Sequence, residues 1–134
     1  RDMPIIFPAH PRTKSILSRL DIKDQRLHII EPLSYLEFNY MVENAKAVIT
    51  DSGGITEEAS IMNVPCLTLR DNTERPETID LGTNELVGTN PQNLKSYLDK
   101  LFNSQWKQTQ TIPFWDGNTA KRIVKVITKN FIKN

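Results

Sequence analysis

The sequence predicts an α/β fold, a parallel sheet with helices on both faces. Three observations carry that expectation. Short apolar runs alternate along the chain with segments whose apolar residues recur at helical spacing. The connections between successive runs are long enough for the crossovers that parallel strands require. The run ending at Thr50 passes through Asp51-Ser52-Gly53-Gly54 directly into a helical pattern, as a βα junction does.

The elements follow in order. Met3–Phe7 is a short apolar run bounded by prolines and predicts a strand. Residues 8–12 predict a loop, because two prolines fix φ and remove donors. Ile16, Leu17 and Leu20 stand at helical spacing and predict a helix over Thr13–Leu20. Arg26–Ile30 predicts a second strand. Ser34 followed by Glu37 is a capping-box spacing, and Leu36, Tyr40 and Met41, with Val42 and Ala45 following, form the apolar stripe of a helix to about Asn44. Ala47–Thr50 predicts a third strand, apolar enough to be covered on both faces. A helix over Gly54–Met62 and a strand over Pro65–Leu69 come next. Arg70–Asp80 reads as polar and irregular, and Glu85–Val87 as a short strand. Asn90 caps a helix that has Pro91 at its first position and carries Leu94, Tyr97, Leu98 and Leu101. Residues 105–118 predict a loop with two tryptophans, and Ala120 to about Phe131 a terminal helix.

The chain has 134 residues, the size of one domain, and no linker divides it. Hydrophobic residues make up 38% and charged residues 25%, which fits a globular protein. A net charge of +1 gives no basis for a broad nucleic-acid surface, and no apolar run is long enough for a membrane span. Cys66 is the single cysteine, so no internal disulfide forms. Within "VPCLTL" it reads as a small core hydrophobe rather than a nucleophile, which suits a reducing cytoplasm.

Chemistry concentrates in two clusters. The turn after Thr50 lies at the carboxyl end of a strand, where open parallel sheets bind ligands. Gly53 and Gly54 let the backbone approach a bulky group. The unpaired N–H groups and positive dipole end of the next helix suit a phosphate, and Ser52 adds a hydroxyl. Glu58, about a turn further on, is placed to accept from sugar hydroxyls, while Glu57 is explained by the helix dipole alone. The turn is neither a GxGxxG fingerprint nor a P-loop. The second cluster, "RDNTERPET" from Arg70 to Thr78, follows the fourth strand. Arg75 there is suited to pair with a phosphate or with Glu74 or Glu77, and a plain solvated loop is the competing reading. His10, flanked by Ala9 and Pro11, falls after the first strand and maps to the same kind of edge. His28 reads as structural. Ser52 has no base partner that would make it a nucleophile, no spacing suggests a metal site, and Trp106 and Trp115 read as packing the last helices.

"TDSGGITEEA", "LTLRDNTERPET" and "GTNELVGTNP" together resemble the C-terminal half of the non-hydrolysing UDP-N-acetylglucosamine 2-epimerases. The likeness runs from the His10-Pro11 loop to Asp116-Gly117. Thr56 stands where most members carry glutamine, a position not expected to touch ligand. The resemblance implies a Rossmann-like domain that forms the UDP-holding C-terminal half of a two-domain GT-B protein. It implies that Ser52, Gly53 and Gly54 bind the diphosphate and Glu58 the ribose hydroxyls. Arg75 would lie in the nucleotide pocket, the segment around Leu33 and Phe38 would contact uracil, and His10 would be a further site residue. It also implies inversion at C2 of the sugar, by elimination of UDP to a glycal and re-addition, with no cofactor and no metal. The acid/base groups of that reaction fall outside this sequence, so the chain is expected to be an excised part, inactive alone. Its expected partners are a UDP-sugar, the missing N-terminal domain and, at full length, a second copy in a homodimer. A related GT-B glycosyltransferase, a diacetamido-uronate sugar-nucleotide epimerase and a free-standing nucleotide-binding module are the alternatives.

Overall fold

The computed structural model describes residues 2–20 and 22–131. The chain divides into two compact units, 1–41 and 42–134. In the first, β1 (Ile5–Pro8) and β2 (Leu27–Ile30) pair in parallel with Ile5 beside Leu27. Between them lies α1 (Pro11–Leu17), which starts two residues earlier than the spacing predicts. The cause is local: Pro11 is pre-set for a first helical position, and the His10 imidazole caps the Arg12 N–H. His28 lies on β2 and is exposed. α2 (Tyr35–Glu43) follows, and the Glu37 half of the predicted capping box is present. Both the Ser34 N–H, at 2.9 Å, and its hydroxyl, at 2.7 Å, donate to Glu37. Those two bonds hold the Glu37 carboxyl below its ordinary range.

The second unit contains a three-stranded parallel sheet in the order β3 (Val48–Thr50), β4 (Cys66–Thr68), β5 (Asn84–Leu86). The five strands among the described residues thus all pair in parallel but form two sheets. β4 is the central strand of its sheet and every residue in it is buried. Leu67 is fully enclosed, worth about 2 kcal/mol in area terms. Burial pushes the Cys66 thiol up to about 12, the behaviour of an inert core residue. The expectation of coverage on both faces fails for β3: Ile49 is 48% exposed. β3 is an edge strand of this sheet, and the doubly covered position belongs to β4.

α3 (Gly53–Ile61) packs on this sheet, with Thr56, Ala59 and Ser60 buried against it. Asn63, at φ 56, ends it in the left-handed conformation that asparagine tolerates. The segment expected to be irregular contains a short helix, α4 (Pro76–Asp80). Five residues are too few for a periodic signal. Pro76 at the first position and tertiary contacts of Thr78 hold it instead. α5 (Pro91–Phe102) is capped by the Asn90 side chain accepting from the Gln92 N–H at 3.0 Å, as the Asn-Pro pair predicts. The Trp106 ring lies 6.5 Å from that of Tyr97 on α5, so it packs as expected, and its indole N–H donates to the Thr83 carbonyl. α6 (Thr119–Phe131) closes the described chain. No helix among the described residues is long and apolar enough to cross a membrane.

Candidate functional site

β3 and β4 are parallel neighbours with Thr50 beside Thr68, so the turns leaving them lie at one edge of the sheet. The first is the Asp51–Gly54 turn and the second the Arg70–Arg75 loop. They meet. The Glu74 carboxylate stands 2.8 Å from where a Cβ on Gly53 would be, so a side chain there would push the carboxylate aside. Arg70 Nη1 lies 3.4 Å from the other oxygen of Glu74.

Ser52 is the N-cap residue of α3 with extended backbone (φ −87°, ψ 128°), yet its hydroxyl makes no capping bond. Its own N–H donates to the Thr50 hydroxyl at 3.0 Å. The first N–H groups of α3 have no partner further back in the helix, and Gly54 is exposed with open space where a side chain would project. An uncommitted hydroxyl, unpaired amides and the positive end of a helix dipole therefore coincide. Thr56 is fully buried, with its hydroxyl donating to the Gly53 carbonyl at 2.6 Å, and does not face this edge as a ligand group.

Arg75 has Nε 2.6 Å from Glu57 Oε1, off the N–H axis, so the contact is one of charge rather than a hydrogen bond. The expected partners were Glu74 and Glu77. Glu74 instead faces Arg70, although Arg75 Nη1 donates to the Glu74 carbonyl at 3.3 Å. Glu57 thus has a role beyond the helix dipole, and no spacing rule could reveal it across 18 residues of chain. Glu58 is half-buried, and its carboxylate has no ion pair or hydrogen bond among the described residues.

The remaining expected site residues lie in the first unit. His10 follows β1, exposed, with Nδ1 accepting from Arg12 N at 3.3 Å, which leaves Nε2 for any other partner. Leu33 lines a groove of about 360 Å³ with Leu36, Glu37, Tyr40 and Met41. Phe38 is half-buried on α2 and is not among the groove's lining residues. Among the described residues no cluster of His, Cys, Asp and Glu is arranged to hold a metal ion.

A glycine-rich βα turn at the carboxyl edge of a parallel sheet, with a loop arginine beside it, is the arrangement of nucleotide-binding α/β proteins. The family model described as UDP-N-acetylglucosamine 2-epimerase matches residues 1–128, and the chain belongs to that family. It is 46% identical to the UDP-N-acetylglucosamine 2-epimerase of Methanocaldococcus jannaschii over 134 aligned positions, covering 95% of this chain and 36% of that protein. The Methanococcus maripaludis enzyme is also 46% identical, with 92% and 34% covered. A crystal structure of the M. jannaschii epimerase in complex with UDP-GlcNAc and UDP superposes with a TM-score of 0.76 at 44% identity, over 94% of this chain and 36% of that one. The chain therefore spans about a third of the length of these relatives. Its parallel sheets flanked by helices place it with the GT-B fold of its structural neighbours.

Proposed function

We propose that residues 1–134 act as one UDP-holding domain of a protein that interconverts UDP-N-acetylglucosamine and UDP-N-acetylmannosamine. The observation that carries this is the β3–α3 turn of a chain in the epimerase family: its serine hydroxyl is uncommitted and Gly54 opens outward. The diphosphate lies across Ser52, Gly53 and Gly54, where amides and dipole meet its charge. Arg75 turns from Glu57 toward the nucleotide, exchanging one anionic partner for another. The free Glu58 carboxylate accepts from the ribose hydroxyls. Uracil lies by the segment containing Leu33 and Phe38, and His10 offers Nε2 to the ligand. The chemistry at C2 is elimination of UDP followed by re-addition, and its acid/base groups come from the part of the polypeptide that precedes this segment in the relatives. The complete protein is a cytoplasmic homodimer that serves surface-polysaccharide synthesis and requires no cofactor.

Two tests follow. Residues 1–134 alone should give no epimer, as followed by NMR at the anomeric proton of UDP-N-acetylglucosamine. Turnover by this segment would place the acid/base groups within it. In the natural-length protein, Ser52→Ala should weaken UDP by about 1 kcal/mol, the worth of one hydrogen bond. Arg75→Ala should cost more, about 2 kcal/mol, because its bond to phosphate is charge-assisted. Calorimetric titration with UDP measures both, and identical affinity in parent and variants would sink the assignment.

A further inference from the structure

We propose that Thr78, backed by Asn84, and Thr73 are positioning residues that hold Arg75 for its anionic ligand. This rests on the reading of Arg75 above and extends it to residues that never touch a nucleotide. Asn84 is fully buried on β5 and engages both ends of its amide. Its oxygen accepts from the Thr68 hydroxyl, at the end of the central strand β4, at 2.6 Å. Its nitrogen donates to the Thr78 hydroxyl at 3.1 Å. Thr78, itself fully buried, donates onward to the Arg75 carbonyl at 2.7 Å. The relay thus runs from the middle of the sheet to the residue at the N-cap of α4. The other side of Arg75 is held separately, its N–H donating to the Thr73 hydroxyl at 3.0 Å.

The Arg75 carbonyl can only accept, and that fixes the direction of every bond back along the relay to the Thr68 hydroxyl. Thr78 must give its only proton to the Arg75 carbonyl, so Asn84 must present its NH2 to Thr78 and its oxygen to Thr68. With N–H and carbonyl both anchored, the Arg75 backbone keeps φ −126° and ψ 62°, and the guanidinium starts from a fixed Cα. A buried polar chain of this kind is costly to leave half-satisfied, so it specifies one arrangement of the loop. The same hydroxyls would be expected merely to stabilise the fold if Arg75 had no ligand. The two roles separate in a double-mutant cycle.

The experiment measures UDP dissociation constants by calorimetry on the natural-length protein, with urea unfolding in parallel. Thr78→Val keeps the shape and removes the hydroxyl. It should weaken UDP about fivefold, within the coupling range of residues in contact. Thr78→Ser should restore parental affinity. The loss should vanish in an Arg75→Ala background, whereas any loss of stability should persist there. Thr73→Val, at a less buried position, should show the same dependence on Arg75 and serves if Thr78→Val does not fold. Equal losses with and without Arg75, or parental affinity in both valine variants, overturn the positioning role alone. Parental affinity in Arg75→Ala removes the functional reading, and the positioning role with it.

Discussion

Replacing Gly82 with alanine will destabilise the protein by about 3 kcal/mol, the upper end of the range for overpacking a filled interior. A Cβ at this position would stand 2.4 Å from the Ser60 hydroxyl oxygen, 2.6 Å from the Thr78 carbonyl oxygen and 2.8 Å from Ser60 Cβ. None of these neighbours is free to yield. Ser60 is fully buried and its hydroxyl is bonded to the Thr56 carbonyl at 2.8 Å. The Thr78 carbonyl is backbone, in the helix whose N-cap is Arg75. Gly82 is therefore the contact that lets α3 and α4 approach, and those two helices carry Glu57 and position Arg75. Urea unfolding of the natural-length protein checks the size of the effect. Ser60→Ala should recover only part of the loss, since it removes the closest clash and leaves the other two. An alanine variant that unfolds at the parental urea concentration would show that the two helices are not in contact through this residue.

The βα turn after Thr50 was legible because its signals are local. A glycine pair and a preceding apolar run occupy one short window, and α3 begins at Gly53, one residue before the start that window predicts, with Ser52 as its N-cap. The Ser34–Glu37 box and the Asn90-Pro91 cap were legible for the same reason. The features missed all depend on distant partners. α4 exists because Pro76 starts it and Asn84 reaches Thr78 from strand β5, neither of which leaves a periodic trace. Glu57 looked like an ordinary dipole-compensating residue until the Arg70–Arg75 loop brought Arg75 against it. An apolar run could not tell an edge strand with Ile49 outward from a central one, because strand order is set by pairing and not by composition.

Alanine at Gly54 will separate folding from binding, moving the two in opposite directions. A Cβ built there meets no atom within 4 Å, so the fold has room for it. Gly54 is the second residue of α3, and exchanging a helical glycine for alanine removes backbone entropy from the unfolded chain, a gain of about 0.5 kcal/mol. The same methyl group would project into the space at the head of the helix. Phosphate oxygens must come within about 2.9 Å of backbone nitrogen to accept from the α3 amides, and a methyl group at that point holds them off. UDP affinity should fall about a hundredfold, equivalent to about 2.7 kcal/mol. Gly53 is a poorer probe, because a Cβ there would also displace the Glu74 carboxylate and mix a local rearrangement with the effect on ligand. Calorimetry with UDP and urea unfolding on the Gly54→Ala protein read the two quantities independently. A variant that is as stable as the parent or more so, yet has lost UDP, locates the diphosphate at this turn. Parental UDP affinity with the methyl group in place would mean that the diphosphate is held elsewhere.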